Sequence, residues 1–266
     1  MAVGGLALIV VMFLIAGFAS FLAPYDPGKT DVSLKLKPPS FQHYVGTDQL
    51  GRDVFSRMLH GSRISLSVGF VAVAISIFIG ILLGAVAGYY GGWVDSILMR
   101  FVDTMLCFPS FFLILTIVAL MGPKILNIMI VIGITSWMGT ARFVRAEFLS
   151  LRERDYVQAA QALGVKDYRI IFRHILPNAL APVFVSATLK VASAILIEAG
   201  LSFLGFGVQP PRSSWGNILT EGRTYIFDAW WLTVFPGLAI LITVLSFNLM
   251  GEGLRDALDP RLRGRR

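Results

Sequence analysis

The chain has 266 residues, of which 56% are hydrophobic and 15% are charged, and its mean hydropathy is +0.73. This apolar share exceeds what a soluble core needs, so the composition predicts a membrane protein. The formal net charge of +7 is not taken as a sign of nucleic-acid binding, because the basic residues flank apolar segments instead of alternating with aromatic residues. A single cysteine, Cys107, excludes an intrachain disulfide framework and a cysteine metal cluster.

Residues 1–23 contain no charged side chain. At about 1.5 Å per residue they are long enough to cross a hydrocarbon layer of about 30 Å, so they predict the first transmembrane helix. The alternative is a cleavable signal peptide with a cleavage site near Gly17. The missing basic start and the length of the apolar run count against that alternative.

Residues 24–62 form the first polar segment and are predicted to lie outside the bilayer on the extracytoplasmic side. Asp53 is suited to cap a short helix over 54–60, which Gly61 would end. Four side chains in this segment are of metal-ligating types, but their spacing matches no known site and two have turn or capping roles. These are His43, Asp48, Asp53 and His60, and no metal site is predicted from them.

Further apolar blocks predict five more spans, which makes the chain an all-α polytopic membrane protein with six transmembrane helices. The spans lie at about 64–90, 104–123, 125–144, 178–206 and 229–250. Small residues in the second span let another helix approach closely; they are Gly69, Gly80, Gly84 and Gly88. A short polar turn is predicted over 91–103, and Pro109 is expected to kink or start the third span.

The fifth span contains two ionisable residues, Lys190 and Glu198, which are functional candidates because charge within a membrane is costly. Their separation is about 12 Å along a helix, too far for a direct ion pair. Both side chains are candidates for a polar translocation pathway. In the alternative, Glu198 lies at the outer interface or pairs with another helix, and Lys190 snorkels or pairs within an assembly.

The charge-rich segment 142–177 predicts a helical hairpin between the fourth and fifth spans. Two sets of residues recur at i, i+3, i+4 and i+7, the spacing of one helix face. The first set is Tyr156, Ala159, Ala160 and Leu163, and the second is Tyr168, Ile171, Phe172 and Ile175. Gly164 is predicted to end the first helix in a left-handed conformation, Asp167 to cap the second and Pro177 to end it.

The contact face of this hairpin combines small residues with larger apolar ones, which suits insertion into a groove of another protein. The alternative is that the face packs on its own chain. The densest basic clusters lie in the hairpin and in the tail 253–266, so both are predicted to be cytoplasmic. With six spans, both termini are then cytoplasmic.

Several motifs resemble those of one transporter family. Gln158-Ala159-Ala160 with Gly164 and the Leu-Pro pair at 176–177 resembles the "EAA" loop of permease subunits of ATP-binding-cassette importers. The runs 46–53, 173–178 and 198–207, with the prolines at 210–211 and the Trp-Gly pair at 215–216, resemble the C-type subunit of the dipeptide, oligopeptide and nickel permeases. Two positions depart from the general pattern: Gln158 replaces a glutamate and His174 a common isoleucine.

This resemblance implies a type I importer permease fold, with its transmembrane core at 63–252, in the inner or plasma membrane. It implies an ATPase-coupling interface formed by Tyr156, Gln158, Ala159, Ala160, Leu163, Gly164, Tyr168 and Phe172. The implied partners are two ATP-binding subunits, a second permease subunit and an extracytoplasmic solute-binding protein. ATP and Mg would be bound by the partner subunits, and no cofactor is expected on this chain.

The implied function is import of di- or oligopeptides, with nickel complexes or glutathione-type compounds as alternatives within the same family. No G-x-x-x-x-G-K-[ST] loop occurs in the sequence, and its nucleophilic and acidic residues do not cluster, so the chain is predicted not to be an enzyme. An ion-coupled secondary transporter that uses Lys190 and Glu198 is the alternative from another class.

Overall fold

The computed structural model describes residues 2–258, which form a bundle of α-helices, with one long connection over 23–53 and shorter ones elsewhere. The helices are α1 (Ala2–Gly17), α2 (Ala19–Leu22), α3 (Val54–Tyr90), α4 (Gly92–Leu106), α5 (Ser110–Met121), α6 (Ile125–Thr135), α7 (Met138–Arg152), α8 (Asp155–Ala162), α9 (Asp167–Arg169), α10 (Leu176–Phe203), α11 (Trp215–Arg223) and α12 (Trp231–Leu258). The predicted tail 253–266 therefore begins as the end of α12, and the rest of it lies outside the described residues.

The helices fit the predicted six spans. Within residues 2–258, three helical units are long and apolar enough to cross a membrane alone: α3, the unit that contains α10, and α12. Two bent helix pairs, α4 with α5 at 82° and α6 with α7 at 41°, bring the number to five if each pair is one span. The remaining apolar helix, α1, is shorter, and α2 continues its apolar run to Leu22.

Helix α3 is the longest helix, with 37 residues, and it packs against α6, α7 and α10. Asp53 caps it as predicted, since its carboxylate accepts a hydrogen bond of 2.8 Å from the Ser56 backbone N–H. The predicted end at Gly61 is wrong, because the helix continues to Tyr90. Gly61 instead lies against the backbone of Ser213 and Ser214, where a side chain would be in contact at 3.4 Å.

The predicted role of the glycines in the second span is confirmed at the contact between α3 and α7. Gly80, Gly84 and Gly88 face α7, and a methyl group on Gly84 would lie 2.5 Å from the Ala141 carbonyl oxygen. Real carbon–oxygen contacts are longer, so the two helix backbones approach as closely as they do only because glycine is present.

Replacing Gly84 with valine should therefore separate α3 from α7. We expect a loss of about 1–3 kcal/mol in unfolding free energy, the usual cost of overpacking, measured as a lower thermal unfolding midpoint of the purified protein in detergent. Gly139→Ala on α7 is the matched control, because no atom lies within 4 Å of the position of its new methyl group. Equal midpoints for the two variants would contradict this packing argument.

The polar turn predicted over 91–103 is wrong, because these residues form helix α4. Its polar residues Asp95 and Asp103 bind arginines of α7, while Val102 is buried in a small cluster with Trp137. The polar residues of 91–103 lie on one side of a helix, and the sequence pattern alone does not distinguish such a helix from a polar turn. The prediction for Pro109 is confirmed: it directly precedes α5, after the break that follows α4.

The bundle has two ends with separate apolar clusters. At one end, here called the loop end, residues 24–53 pack with α11 and the start of α12, around Val45, Ile218 and Trp231. At the other, here called the hairpin end, α7, α8 and the start of α10 enclose Phe148, Val157 and other buried residues. The chain's two polar segments therefore lie at opposite ends of α3.

Candidate coupling surface and translocation pathway

The predicted hairpin is present at the hairpin end. Gly164 has φ = 71°, the left-handed conformation predicted for it, and it follows α8 directly after Leu163. The second arm does not end at Pro177, which lies in the first turn of α10, where a missing N–H is tolerated. A π-helical stretch, Ile170–Ile175, precedes it and joins α9 to α10 without a stop.

The π-helical stretch changes which residues of the second arm face inward. Ile170 and Ile175, five positions apart, are both fully buried, whereas Phe172 is 66% exposed. This spacing matches the wider turn of a π-helix, in which residue i bonds to residue i+5. The predicted face of Tyr168, Ile171, Phe172 and Ile175 is therefore divided. Tyr168 and Phe172 are exposed, whereas Ile171 is partly buried and Ile175 is fully buried.

Helix α8 has an inner and an outer apolar row. Val157 and Ala160 form the inner row and pack in the cluster with Phe148, Ile170 and Ile175. The placement of Ala160 on a surface for a partner is therefore corrected: this residue is 7% exposed and contacts its own chain. The sequence alone does not show which of the two rows is buried, because both consist of apolar residues at helical spacing.

The outer row is open to solvent. Leu163 is 83% exposed and Tyr156 43% exposed, and Tyr168 and Phe172 of the second arm are likewise exposed. Gln158, Ala159 and Gly164, also predicted for the interface, are exposed as well. We call Tyr156, Ala159, Leu163, Tyr168 and Phe172 the exposed hairpin patch. In this patch large apolar side chains are exposed beside small residues.

Polar contacts fix this hairpin to the end of α3. The Tyr89 hydroxyl donates a hydrogen bond of 2.8 Å to the Asp167 carboxylate, and Arg152 donates one of 2.7 Å to the Tyr89 carbonyl oxygen. The predicted capping role of Asp167 is therefore wrong, since its side chain binds Tyr89 and the preceding Lys166 occupies the cap position without a side-chain bond. The hairpin is held by both apolar and polar contacts.

Ion pairs join α4 to α7, the helix that leads into the hairpin. Arg145 binds Asp95 through two guanidinium nitrogens, and Arg142 binds Asp103 nearer the middle of the bundle. Paired carboxylate contacts of this kind fix orientation as well as distance. The span made by α6 and α7 is therefore attached to the preceding span on the side where it enters the hairpin.

Lys190 lies near the middle of α10 and contacts the break between α6 and α7. Its ammonium group donates a hydrogen bond of 2.7 Å to the Ser136 carbonyl oxygen and lies 3.4 Å from the Ser76 hydroxyl of α3. A cavity of about 50 Å³ adjoins it, lined by both serines and by Ser193. Within residues 2–258, no carboxylate forms an ion pair with this lysine.

Glu198 occupies a different environment and does not face a pathway in this conformation. It is fully buried, and one carboxylate oxygen accepts hydrogen bonds of 2.8 Å from both Ser202 and Ser214. Ser214 is also the N-cap of α11, so the carboxylate joins the end of α10 to the start of α11. Lys190 and Glu198 have separate partners, in keeping with the predicted absence of a direct pair.

The loop end contains a buried charge network that the sequence did not indicate. Arg57 is 1% exposed and binds Glu221 of α11 through both terminal nitrogens, at 2.6 and 2.8 Å, and Asp48 at 2.5 Å. Arg52 binds the same two carboxylates, at 2.6 Å to Asp48 and 3.1 Å to Glu221. Two arginines and two carboxylates thus join the segment 24–53, α3 and α11.

Three of the four metal-ligating side chains considered in the sequence, His43, Asp48 and Asp53, have other partners here. Asp48 belongs to the charge network, and Asp53 binds His43 at 2.8 Å with one oxygen while it caps α3 with the other. Among residues 2–258, no three His, Cys, Asp or Glu side chains are placed to hold a metal ion. His43 and Asp53 instead position the chain just before α3.

Two family models match the chain. Residues 80–264 match the binding-protein-dependent transport system inner membrane component, and residues 1–39 match the N-terminal transmembrane domain of oligopeptide transport permease C. Similar proteins include a dipeptide transport system permease protein of Alkalihalophilus pseudofirmus, 47% identical over 99% of this chain and 86% of its own. A di/tripeptide permease of Pseudomonas aeruginosa is 46% identical over 98% and 88%, respectively.

Solved structures agree on the fold. The MetNI methionine transporter, in an inward-facing conformation, matches with a TM-score of 0.59 at 17% identity, over 76% of this chain and 95% of that one. An amino acid ABC transporter matches with a TM-score of 0.57 at 16% identity, over 76% and 92%. These structural similarities show the importer permease fold. Evidence on function comes from the relatives with higher sequence identity.

The relatives are transport permease subunits, which agrees with a transport role and not an enzymatic one. The family description and the apolar helices make this a multi-pass protein of the inner membrane. Importers of this kind work with ATPase and binding-protein partners in general. The chain belongs to the family of binding-protein-dependent transport system inner membrane components, as a permease subunit of an ATP-binding-cassette importer.

Proposed function

We propose that this chain is the C-type permease subunit of an importer for di- or oligopeptides, which an external solute-binding protein delivers. The observation that carries the proposal is the identity of 45–47% to dipeptide, di/tripeptide and peptide permeases along nearly the whole chain. The matched region covers 97–99% of this chain, so it includes both ends of the bundle.

The proposed partners in the cytoplasm are two ATP-binding subunits, which bind ATP and Mg and hydrolyse the nucleotide. The exposed hairpin patch supports this arrangement, because it presents apolar side chains on a structure that is firmly attached to α3. A second permease subunit would complete the membrane part. This chain would bind no cofactor of its own.

The proposed mechanism is alternating access. Closure of the ATPase subunits would push on the hairpin, and the movement would pass along α7, which is continuous from Met138 to the hairpin. The ion pairs from α4 and the close glycine contact with α3 would make these helices tilt together. Rigid helices that rotate about breaks are a common basis of such transitions.

The pathway proposal is kept for Lys190, which lines a cavity, and is dropped for Glu198, which is fully buried between α10 and α11. For Glu198 we propose a positioning role at the loop end, where its bond to Ser214 fixes the start of α11. Its second carboxylate oxygen has no hydrogen-bond partner among the described residues.

The proposed orientation places the hairpin end and both termini in the cytoplasm and the loop end outside. It predicts that a topology reporter fused at Lys166 reads cytoplasmic, whereas reporters at Lys35 and Arg212 read external. A reporter at Arg263 should also read cytoplasmic, although that residue lies outside the described part of the chain. A cytoplasmic signal at Lys35 would contradict the proposed crossing by α1.

Uptake measurements test the proposed function directly. The permease pair, the ATPase subunits and the binding protein are reconstituted in vesicles, and accumulation of a radiolabelled dipeptide is followed with and without ATP. We expect ATP-dependent accumulation that stops when the binding protein is omitted. Accumulation driven by an ion gradient without ATP would instead support the secondary-transporter alternative.

A glutathione substrate is the second candidate, because a glutathione permease of Pectobacterium atrosepticum is 43% identical over 96% of this chain. Labelled glutathione and a nickel complex are therefore tested in the same vesicles. Preferential accumulation of either compound over dipeptides would replace the peptide proposal while leaving the importer family unchanged.

A further inference from the structure

Lys190 is a partly buried cation near mid-height of the bundle, and it has no anion partner among residues 2–258. It lies near the middle of the 28-residue helix α10, about 20 Å along the axis from either end. A lysine side chain is far too short to span that distance, so its ammonium group does not reach lipid headgroups. An ionised group at this depth needs compensation from a charge or from several hydrogen bonds.

The contacts of Lys190 compensate its charge only in part. Its two acceptors, the Ser136 carbonyl oxygen and the Ser76 hydroxyl, are both neutral. An ammonium group has three N–H donors and no acceptor. With two acceptors bound, the third N–H of Lys190 can still donate a hydrogen bond. The adjoining cavity is lined by serine hydroxyls and apolar side chains, and within residues 2–258 it contains no carboxylate.

The size of the cavity restricts what it can accept. Its volume is about 50 Å³, room for one or two groups of water size, at about 30 Å³ each. A carboxylate group fits this space, whereas a whole dipeptide does not. The Ser76 hydroxyl can donate to a carboxylate oxygen, and Ser193 can do so in place of its 3.2 Å bond to the Leu189 carbonyl oxygen. The ammonium group supplies the opposite charge.

We propose that the Lys190 ammonium group, with the serine hydroxyls of its cavity, binds the C-terminal carboxylate of the peptide during translocation. This proposal rests on the proposed peptide function and adds a substrate feature and a position. Every unmodified peptide has one terminal carboxylate, whatever its side chains are. A single cation in an otherwise neutral cavity therefore recognises peptides as a class without selecting among their side chains.

Photo-crosslinking in the complete importer tests this position. Two dipeptides carry the same diazirine residue: alanyl-photoleucine has it next to the terminal carboxylate, and photoleucyl-alanine has it at the amino end. Vesicles with the full complex and its binding protein are irradiated during transport. We expect alanyl-photoleucine to label the segments around Ser76 and Ser193 about tenfold more than photoleucyl-alanine does. Equal labelling by the two probes would overturn the proposal, and this comparison needs no variant.

Variants test the role of the charge. Lys190→Gln should lower this labelling and the maximal dipeptide uptake rate about tenfold at saturating loaded binding protein, whereas Lys190→Arg should keep both within about threefold. Lys124→Gln, which removes a cation outside the cavity, should change neither. Unchanged labelling in Lys190→Gln would overturn the proposal.

Two further outcomes separate rival explanations. If Lys190→Gln releases the second permease subunit but leaves the labelling of the remaining complexes intact, a carboxylate of that subunit is the counter-ion and the proposal fails. If the unmodified importer accumulates neither dipeptide, the proposed function fails, and this result is distinct from a loss of carboxylate recognition alone.

Discussion

Replacing Asp48 with alanine should cause the largest loss of stability of any single change at the loop end. Its carboxylate accepts hydrogen bonds from the backbone N–H groups of Leu50 and Arg52 and from the side chains of Arg52 and Arg57. Removing it leaves two buried arginines that share Glu221. Breaking a buried ion pair from one side costs about 3–5 kcal/mol, because the remaining charge stays without compensation.

The measurement is thermal unfolding of the purified complex in detergent, combined with tryptic cleavage at Arg52 and Arg57, which the native fold buries. Asp228→Ala is the matched control, because Asp228 is also near α11 but is exposed and forms no ion pair within the described residues 2–258. We expect faster cleavage and a lower midpoint for Asp48→Ala only. Equal behaviour of the two variants would show that the network contributes little to the fold.

The charge network could not be predicted, although all its residues are visible in the sequence. Asp48 and Arg52 lie in the run 46–53 that resembles a family motif, and Arg57 follows it, but Glu221 is 164 positions away from Arg57. The sequence contains no signal that pairs a specific arginine with a distant glutamate. The one sign in the sequence is the position of Arg57 just before an apolar run, where a charged residue needs a partner.

Local rules predicted the parts of the fold that depend on neighbouring residues. Gly164 adopts the left-handed conformation, and the glycines of α3 face a closely packed helix, because both properties depend on the lack of a side chain. The helix that begins at Val54 was predicted to end at Gly61, but it continues to Tyr90. In the sequence, a glycine that lies against another backbone looks the same as a glycine that ends a helix. Only the tertiary contact with Ser213 distinguishes the two cases.

The coupling surface was predicted in its position but not in its orientation. The spacing of Tyr156, Ala159, Ala160 and Leu163 identifies an apolar side of α8, yet Val157 belongs to a second apolar row that crosses it. Packing against Phe148 and Ile175 decides which row is buried, and it places Ala160 inside. The π-helical stretch could not be predicted from the sequence either. Its wider turn brings Ile175, five positions after Ile170, onto the same buried side, whereas an α-helix would place residue 174 there.

Replacing Leu163 with arginine should disrupt ATPase docking without affecting the hairpin itself. Leu163 is 83% exposed, so a larger charged side chain has room in the isolated permease. In a close-packed interface the same side chain would place an unpaired charge in an apolar contact, which costs about 2–4 kcal/mol at a central residue. Copurification of the ATPase subunits should therefore fall at least about tenfold, and ligand-stimulated ATP hydrolysis should fall with it.

Two comparisons make this result interpretable. Gln161→Arg introduces the same charge at an exposed position on another side of α8 and should leave copurification nearly unchanged. Ala160→Arg should also abolish docking, but through loss of the hairpin fold, because Ala160 packs inside the cluster at the hairpin end. Protease sensitivity at Arg154 and Arg169 separates the two causes: it should rise in Ala160→Arg and stay at the unmodified level in Leu163→Arg.

A direct contact can be measured with a cysteine at Leu163 in a Cys107→Ser background. Because Leu163 is exposed and Cys107 is the chain's single cysteine, the new thiol is the only reactive one on this subunit. A bifunctional cross-linker should join it to an ATPase subunit in the assembled complex. If it cross-links only within its own chain, or if Leu163→Arg transports peptide at the normal rate, the exposed hairpin patch is not the coupling surface.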